Sequence, residues 1–175
     1  ILIMYFENFP TIAYDAIGNK IFHTVSDILT RVVARAEVKT RDVLFTKYII
    51  KENETPESVA FDYYRSAQFH WVILMLNQYY DRYYDWPMTQ RNLQAYVLSK
   101  YSDANGIHHY EISQKSGNTN TKIKVELAEE PGATPITNFL YEADLNENRK
   151  EIRLLNSQYI TIFSNEFKNL TRHGN

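Results

Sequence analysis

KYIIKENETPESVAFDYYRSAQFHWVILMLNQYYDRYYDWP, residues 47–87, decides the reading of this chain. Residues 48–50 are a short apolar strand and residues 51–54 a polar turn. Thr55 is placed to cap a helix whose first position is Pro56, where a missing N–H removes no helical hydrogen bond. Val59, Ala60 and Tyr63 recur at helical spacing and Tyr64 widens the stripe. Ser66 is the next cap. The run Phe69, Trp71, Val72, Ile73, Leu74, Met75 and Leu76 that follows is apolar almost all round, which belongs in a core. Asn77 ends it. Strand, helix, tight turn and helix in so few residues describe a small module.

Working outward, Thr89 opens a helix with Leu93, Tyr96, Val97 and Tyr101 on one face, stopped by Asn105-Gly106. Residues 107–112 and 122–127 read as strands. Residues 129–137, with Pro131, Gly132 and Pro135, read as a loop or linker, and apolar pattern resumes at Phe139 and Tyr141. Ile152, Leu154 and Leu155 suggest one more strand. A last helix begins at Asn156 or Ser157, with Tyr159, Ile160, Phe163, Phe167 and Leu170 as its stripe. Towards the amino terminus, residues 43–50 are strand-like. Ser26 caps a short helix through Ile28, Leu29, Val32 and Val33, and Gly18-Asn19 marks a turn. Residues 5–14, with Pro10 and four aromatic rings, read as an extended arm that docks either on its own domain or on a partner.

The chain has 175 residues, is 44% hydrophobic and carries a formal net charge of -2, so bulk charge implies neither nucleic acid nor an anionic membrane as partner. It contains no cysteine, which excludes disulfides, thiolate chemistry and cysteine zinc sites. The apolar run 72–76 falls far short of the roughly 20 residues of a membrane span. Residues 1–3, ahead of Met4, lack the basic flank and length of a signal peptide. The basic run Arg31, Arg35, Lys39 and Arg41 is diluted by Glu37 and Asp42 and reads as a solvated face or an acidic-protein contact. Aromatic residues are abundant, with Tyr 14, Phe 9 and Trp 2, and tyrosine suits interfaces because it packs like a hydrophobe while still hydrogen-bonding. Filling a core is the plainer use of the same rings.

Nothing in the chain carries recognisable catalytic chemistry. The histidines His23, His70, His108, His109 and His173 show no metal-ligand spacing. His108 and His109, adjacent in a strand, should point to opposite faces. Asp81 and Asp85 share an aromatic loop, a setting compatible with a glycosidase pair, but aspartates in turns equally well accept local backbone N–H groups. There is no phosphate loop, nucleophile elbow or dinucleotide fingerprint. Catalytic, cofactor and metal residues are therefore read as none.

YIIKENETPESVAFDYY resembles the start of a LysM module, in which a strand and a polar turn with Glu-Thr precede the first helix. FHWVILMLNQYYDRYYDWP resembles, more specifically, the baseplate wedge protein 53 family of large contractile-tailed phages. That family has a His/Tyr-Trp pair, an apolar helix ending in Asn, an Asp-aromatic stretch and Trp-Pro, here His70, Trp71, Asn77, Asp81, Tyr83, Tyr84, Asp85, Trp86 and Pro87. Residues 6–15, 27–32 and EADLNENRKEIRLLNSQYITIFSNEF are similar to its two ends. Arg82 stands where the family commonly has proline and Arg65 where it has glycine.

The resemblance implies a non-enzymatic structural protein of the virion, in the tail baseplate and, during assembly, the host cytoplasm. It would bind the other baseplate wedge proteins, join neighbouring wedges around hub and tube in a sixfold assembly, and use no cofactor, nucleic acid or membrane. Interface candidates are Tyr5, Phe6, Phe9, Tyr83, Tyr84 and Trp86; core candidates are Trp71, Leu74, Phe163 and Phe167. The alternative is a LysM module binding a peptidoglycan- or chitin-like glycan near residues 52–55 and 77–80. The expected fold is α+β: a LysM-like β-α-α-β core whose late strand is 107–112, with an amino-terminal arm and a small mixed carboxyl-terminal portion. The expected blocks are 1–42 (arm and short helix), 43–112 (module and following helix) and 113–175 (strands, loop and terminal helix).

Overall fold

The computed structural model describes residues 9–28, 34, 38, 40–114, 122–125 and 132–172. Helices and strands are mixed as an α+β fold requires. In chain order they are β1 (Thr11–Tyr14), β2 (His23–Ser26), β3 (Phe45–Ile49), α1 (Pro56–Tyr64), α2 (His70–Leu76), α3 (Gln90–Lys100), β4 (Ile107–Ser113), β5 (Lys122–Val125), β6 (Thr134–Thr137), α4 (Asn138–Asn148), β7 (Glu151–Leu155) and α5 (Ile160–Arg172). Short 3-10 turns occupy Asp42–Leu44, Ala67–Phe69 and Ser157–Tyr159. Two compact units form. One gathers Ile1–Ile50, Glu54–Arg82 and Ile152–Asn175; the other gathers Lys51–Asn53 and Tyr83–Glu151.

In the first unit the local signals decide the helices. The Thr55 hydroxyl accepts from Ser58 N at 3.2 Å and the Ser58 hydroxyl accepts from Thr55 N at 2.9 Å, a reciprocal cap on α1 with Pro56 at its first position. α1 ends at Arg65, whose φ of 60° puts it in the left-handed position where helices favour glycine. Ser66 caps the following 3-10 turn, which feeds α2. Val72, Ile73 and Leu76 of α2 are buried with Val59, Ala60 and Tyr64 of α1; each of the valine, isoleucine and leucine side chains among them contributes about 1.5–3 kcal/mol. The Tyr64 hydroxyl, buried, donates to Leu155 O at 2.9 Å. Burial, followed by the neighbouring Tyr63, raises its pKa.

The strand beside β3 is β7, not residues 107–112. β4 has no edge left for β3, because β5 and β6 occupy both of its sides in the other unit. β3, α1, α2 and β7 thus form a β-α-α-β order interrupted by the residues of the second unit. Asn77 ties β7 to the end of α2: its Nδ2 donates to Ile73 O and Arg153 O, and its Oδ1 accepts from Arg153 N, each at 2.9 Å. Asn156 repeats the device, its backbone N donating to Leu44 O at 2.9 Å and its Nδ2 to Val43 O at 3.0 Å. On α5, Ile160, Phe167 and Thr171 are buried while Leu170 is exposed, so the stripe continues through a threonine rather than through Leu170. The Thr171 hydroxyl is satisfied by Phe167 O at 3.0 Å.

The amino-terminal arm resolves, from Thr11, into a hairpin in which β1 pairs antiparallel with β2. Ser26 therefore ends a strand. The helix expected after it falls largely on residues outside those described.

In the second unit β4 is the centre of a three-stranded antiparallel sheet, β5-β4-β6. Thr89 caps α3, whose Leu93 and Val97 are buried. α3 stops at Lys100, before Asn105-Gly106, because Tyr101 is already extended. Gly106 is needed a little later: a Cβ there would meet Asn138 Nδ2 and Asp103 O at 3.2 Å. Two elements depart from the sequence reading. Residues 134–137 form β6 despite Pro135, which is tolerated because β6 is an edge strand. α4, capped by Thr137, follows at once; its buried residues are Glu142 and Asn146, so it has no apolar stripe to announce it.

Candidate interaction site

The aromatic stretch 79–86 crosses from the first unit into the second. In the first, Tyr79 N donates to Leu74 O at 2.9 Å, and Gln78 takes a φ of 60° to turn the chain out of α2. Arg82 grips Glu57 of α1 with both nitrogens, Nη1 to Oε1 at 2.7 Å and Nη2 to Oε2 at 3.0 Å. This fork-to-fork ion pair fixes the loop to α1. Tyr80 is strongly exposed.

In the second unit Tyr83 is 77% and Tyr84 60% exposed, while Trp86 is only 6% exposed. Their backbone is held from α4. Arg149 Nη1 donates to Tyr84 O at 2.6 Å. The buried Asn146 accepts from Met88 N at 2.7 Å and donates to Met88 O at 3.0 Å, copying one rung of a sheet. Two large amphipathic rings are therefore presented on a fixed backbone, with Trp86 as the buried anchor between the two clamps. Tyrosine in that setting has little conformational entropy to lose on contact.

The remaining sequence candidates fall as follows. Tyr5 and Phe6 lie outside the described residues. Phe9 is buried, edge-on to Phe167 at 6.1 Å between ring centroids, so it turns inward like Trp86 instead of facing a partner. A ring's periodicity in a short arm does not determine which side is covered. Trp71 is half-buried and lies 4.5 Å from Phe167 and 6.2 Å from Phe163. Leu74 and Phe163 are half-buried and Phe167 is buried.

The titratable groups are built into the fold. Glu142, its side chain 6% exposed, accepts from Lys100 Nζ and Tyr101 OH, both at 2.7 Å on Oε1. Burial opposes its charge, but the hydrogen bonds from Lys100 and Tyr101 prevail and hold its pKa below the usual carboxylate value. The Tyr48 hydroxyl meets both carboxylate oxygens of Glu54 at 2.8 Å, and burial, then that hydrogen bond, push its pKa up to about 12.

His108 and His109 do not face opposite ways. A register shift between Ile107 and His109 breaks the alternation of β4, and the two Nδ1 atoms come to 2.8 Å. At that distance one ring nitrogen donates and the other accepts. His109 Nε2 reaches Glu111 Oε1 at 3.0 Å and His108 stacks on Tyr141 at 3.9 Å. Burial first, then the charge of His109, lowers the His108 pKa. Among the described residues no group of three or more His, Asp or Glu side chains is arranged to hold a metal ion. No described helix is long and apolar enough to cross a membrane.

Sequence reasoning named Asn77 as a helix end and Asn156 as a candidate helix start, but not Asn146, and it foresaw the cross-links of none of them. All three use a side-chain amide to bind a distant backbone, and an isolated Asn carries no local sign of that use.

Baseplate wedge protein gp53 of Enterobacteria phage T4 is 32% identical over 100 residues, which make up 57% of this chain and 45% of that protein. The match thus spans less than half of the relative's length. The model of the family described as base plate wedge protein 53 matches residues 4–132, well over half of the chain and inclusive of residues 79–86. This chain belongs to the base plate wedge protein 53 family.

Proposed function

We propose that the chain is a non-enzymatic structural component of a phage tail baseplate wedge. In this reading it binds other wedge proteins, helps to join adjacent wedges around hub and tube in a sixfold assembly, and resides in the virion after assembly in the host cytoplasm. The observation that carries the reading is the exposed pair Tyr83 and Tyr84, held on a clamped backbone inside the region that matches the family. The order β3, α1, α2, β7, with β3 beside β7, supports a LysM-like β-α-α-β core serving protein contact.

Glycan binding is the weaker reading, because the polar groups it needs are already engaged. Glu52 accepts from Gln90 N at 2.9 Å, Glu54 holds Tyr48, Thr55 caps α1 and the Asn77 amide is bound to Arg153.

The test is the double variant Tyr83→Ala/Tyr84→Ala. Both rings are exposed, so the purified chain should melt close to wild type. Incorporation into wedges should fall by more than the factor of about 30 that corresponds to a roughly 2 kcal/mol hot spot. Normal incorporation, or unfolding of the isolated variant, would remove the pair from the contact surface.

A further inference from the structure

The hairpin β1–β2 is built for contact with something outside the chain. Its register puts Ile12 opposite Val25 and Tyr14 opposite His23, so these four share one face, while Thr11, Ala13, Thr24 and Ser26 share the other. Among the described residues the sheet has two strands, a form that is marginal in water without a covering layer. Large apolar side chains nevertheless stand in solvent: Ile17 is 82%, Ile21 58% and Phe22 64% exposed, and Ile12, Tyr14 and Val25 are also exposed.

The turn that carries them is locked. Asp15 Oδ1 accepts from Ile17 N at 3.2 Å, Gly18 N at 2.7 Å and Asn19 N at 3.2 Å, and its Oδ2 accepts from Lys20 N at 2.7 Å. Asn19 Oδ1 accepts from Ile21 N at 3.0 Å, and Asp27 N closes the base on Pro10 O at 2.7 Å. A loop that merely connected two strands would require neither this ordering nor these exposed residues. Together they make a preorganised apolar tip.

Charge and size select the partner. Residues 11–28 contain Asp15 and Asp27 against Lys20 alone, so the hairpin has no attraction for anionic lipid or nucleic acid. Four-residue strands are roughly 14 Å long and about 5 Å apart, so the face offers on the order of 100–150 Å². A stable pair of proteins buries about 800 Å² on each side. The hairpin cannot sustain a dimer of this chain by itself; it suits one contact among several in a larger assembly.

Resting on the proposed wedge role, we infer that the hairpin tip, Ile17, Ile21 and Phe22 with Ile12, Tyr14 and Val25 behind it, inserts into an uncharged apolar cleft of a different protein of the same baseplate. The face carrying Thr11, Ala13, Thr24 and Ser26 remains towards water.

The test co-expresses the full chain with the other wedge proteins of its phage and measures its incorporation by gradient sedimentation. Ile17→Asp and Phe22→Asp should each lower incorporation about tenfold or more with an unchanged melt of the isolated chain. Asp15→Ala, which frees the turn without touching the apolar tip, should lower it less, and Thr24→Asp, on the other face, should leave it unchanged. Incorporation of wild type and both tip variants to the same extent overturns the inference while leaving the wedge role intact. Failure of the wild type itself to incorporate overturns both. A concentration-dependent dimer of the isolated chain that Ile17→Asp abolishes, or flotation with phosphatidylglycerol–phosphatidylethanolamine vesicles that it abolishes, assigns the tip to a second copy or to lipid and overturns it as well.

Discussion

Asn77→Ala tests how the first unit is closed. The Asn77 side chain makes three hydrogen bonds of 2.9 Å, two of them to the backbone of Arg153 in β7. Each is worth about 0.5–1.5 kcal/mol net, and a half-buried N–H or C=O left without a partner adds to the loss. The variant should therefore lose about 2–4 kcal/mol, a fall of roughly 5–15 °C in Tm for a chain of this size. The assay is guanidinium unfolding followed by Trp fluorescence in a Trp86→Phe background, so that Trp71 alone reports on the first unit. Asn77→Asp should be no better at neutral pH, since its carboxylate still accepts from Arg153 N but faces the carbonyls of Ile73 and Arg153. A loss within about 0.5 kcal/mol, the range of an ordinary surface change, would refute the claim that this amide fixes β7 to α2.

Three further outcomes follow from the same structure. Trp71→Ala should cost about 2–3 kcal/mol, below the roughly 3–5 of a fully buried ring, because Trp71 is only partly buried while packing on Phe163 and Phe167; a circular-dichroism melt at the wild-type midpoint would contradict that packing. Arg65→Gly should stabilise the chain by about 0.5–1 kcal/mol, since φ at this position is 60°, and a lower melting point would show that the Arg65 side chain matters more than its backbone. Glu142 has a depressed pKa, so its stabilisation is complete above the ordinary value of 4.5 and is lost as the pH falls through the lower folded value. Glu142→Gln should accordingly be less stable than wild type at neutral pH and converge with it under acid; a constant gap in denaturation midpoints across that range would exclude the ionised contact with Lys100.

The parts of the fold that were legible are those written locally. Thr55-Pro56, Ser66 and Asn77 punctuate α1 and α2, and the dense apolar run between them declares a buried helix. The pairing of β3 with β7 was not legible, because a contact between residues about a hundred positions apart leaves no periodicity in either strand. α4 escaped notice because it buries Glu142 and Asn146, so polarity and burial do not separate along it. β6 was concealed by Pro135, which argues against a central strand but not against an edge. The adjacent histidines misled for a similar reason: strict alternation holds only where register holds, and β4 shifts at that point. For the candidate site, the sequence indicated an aromatic loop but not which rings would be covered. Trp86 and Phe9 turn inward because Asn146, Arg149 and Phe167, all distant in sequence, determine the local path and packing, whereas Tyr83 and Tyr84 stay outside.

The most direct test of the wedge role is the position and copy number of this chain in purified particles of its phage, obtained by imaging the baseplate with averaging and by quantitative mass analysis. The account predicts copies in a sixfold arrangement around the tube, touching other wedge proteins through the faces that carry Tyr83 and Tyr84. Particles that lack the chain, together with a free monomer that binds chitin oligomers, would contradict it.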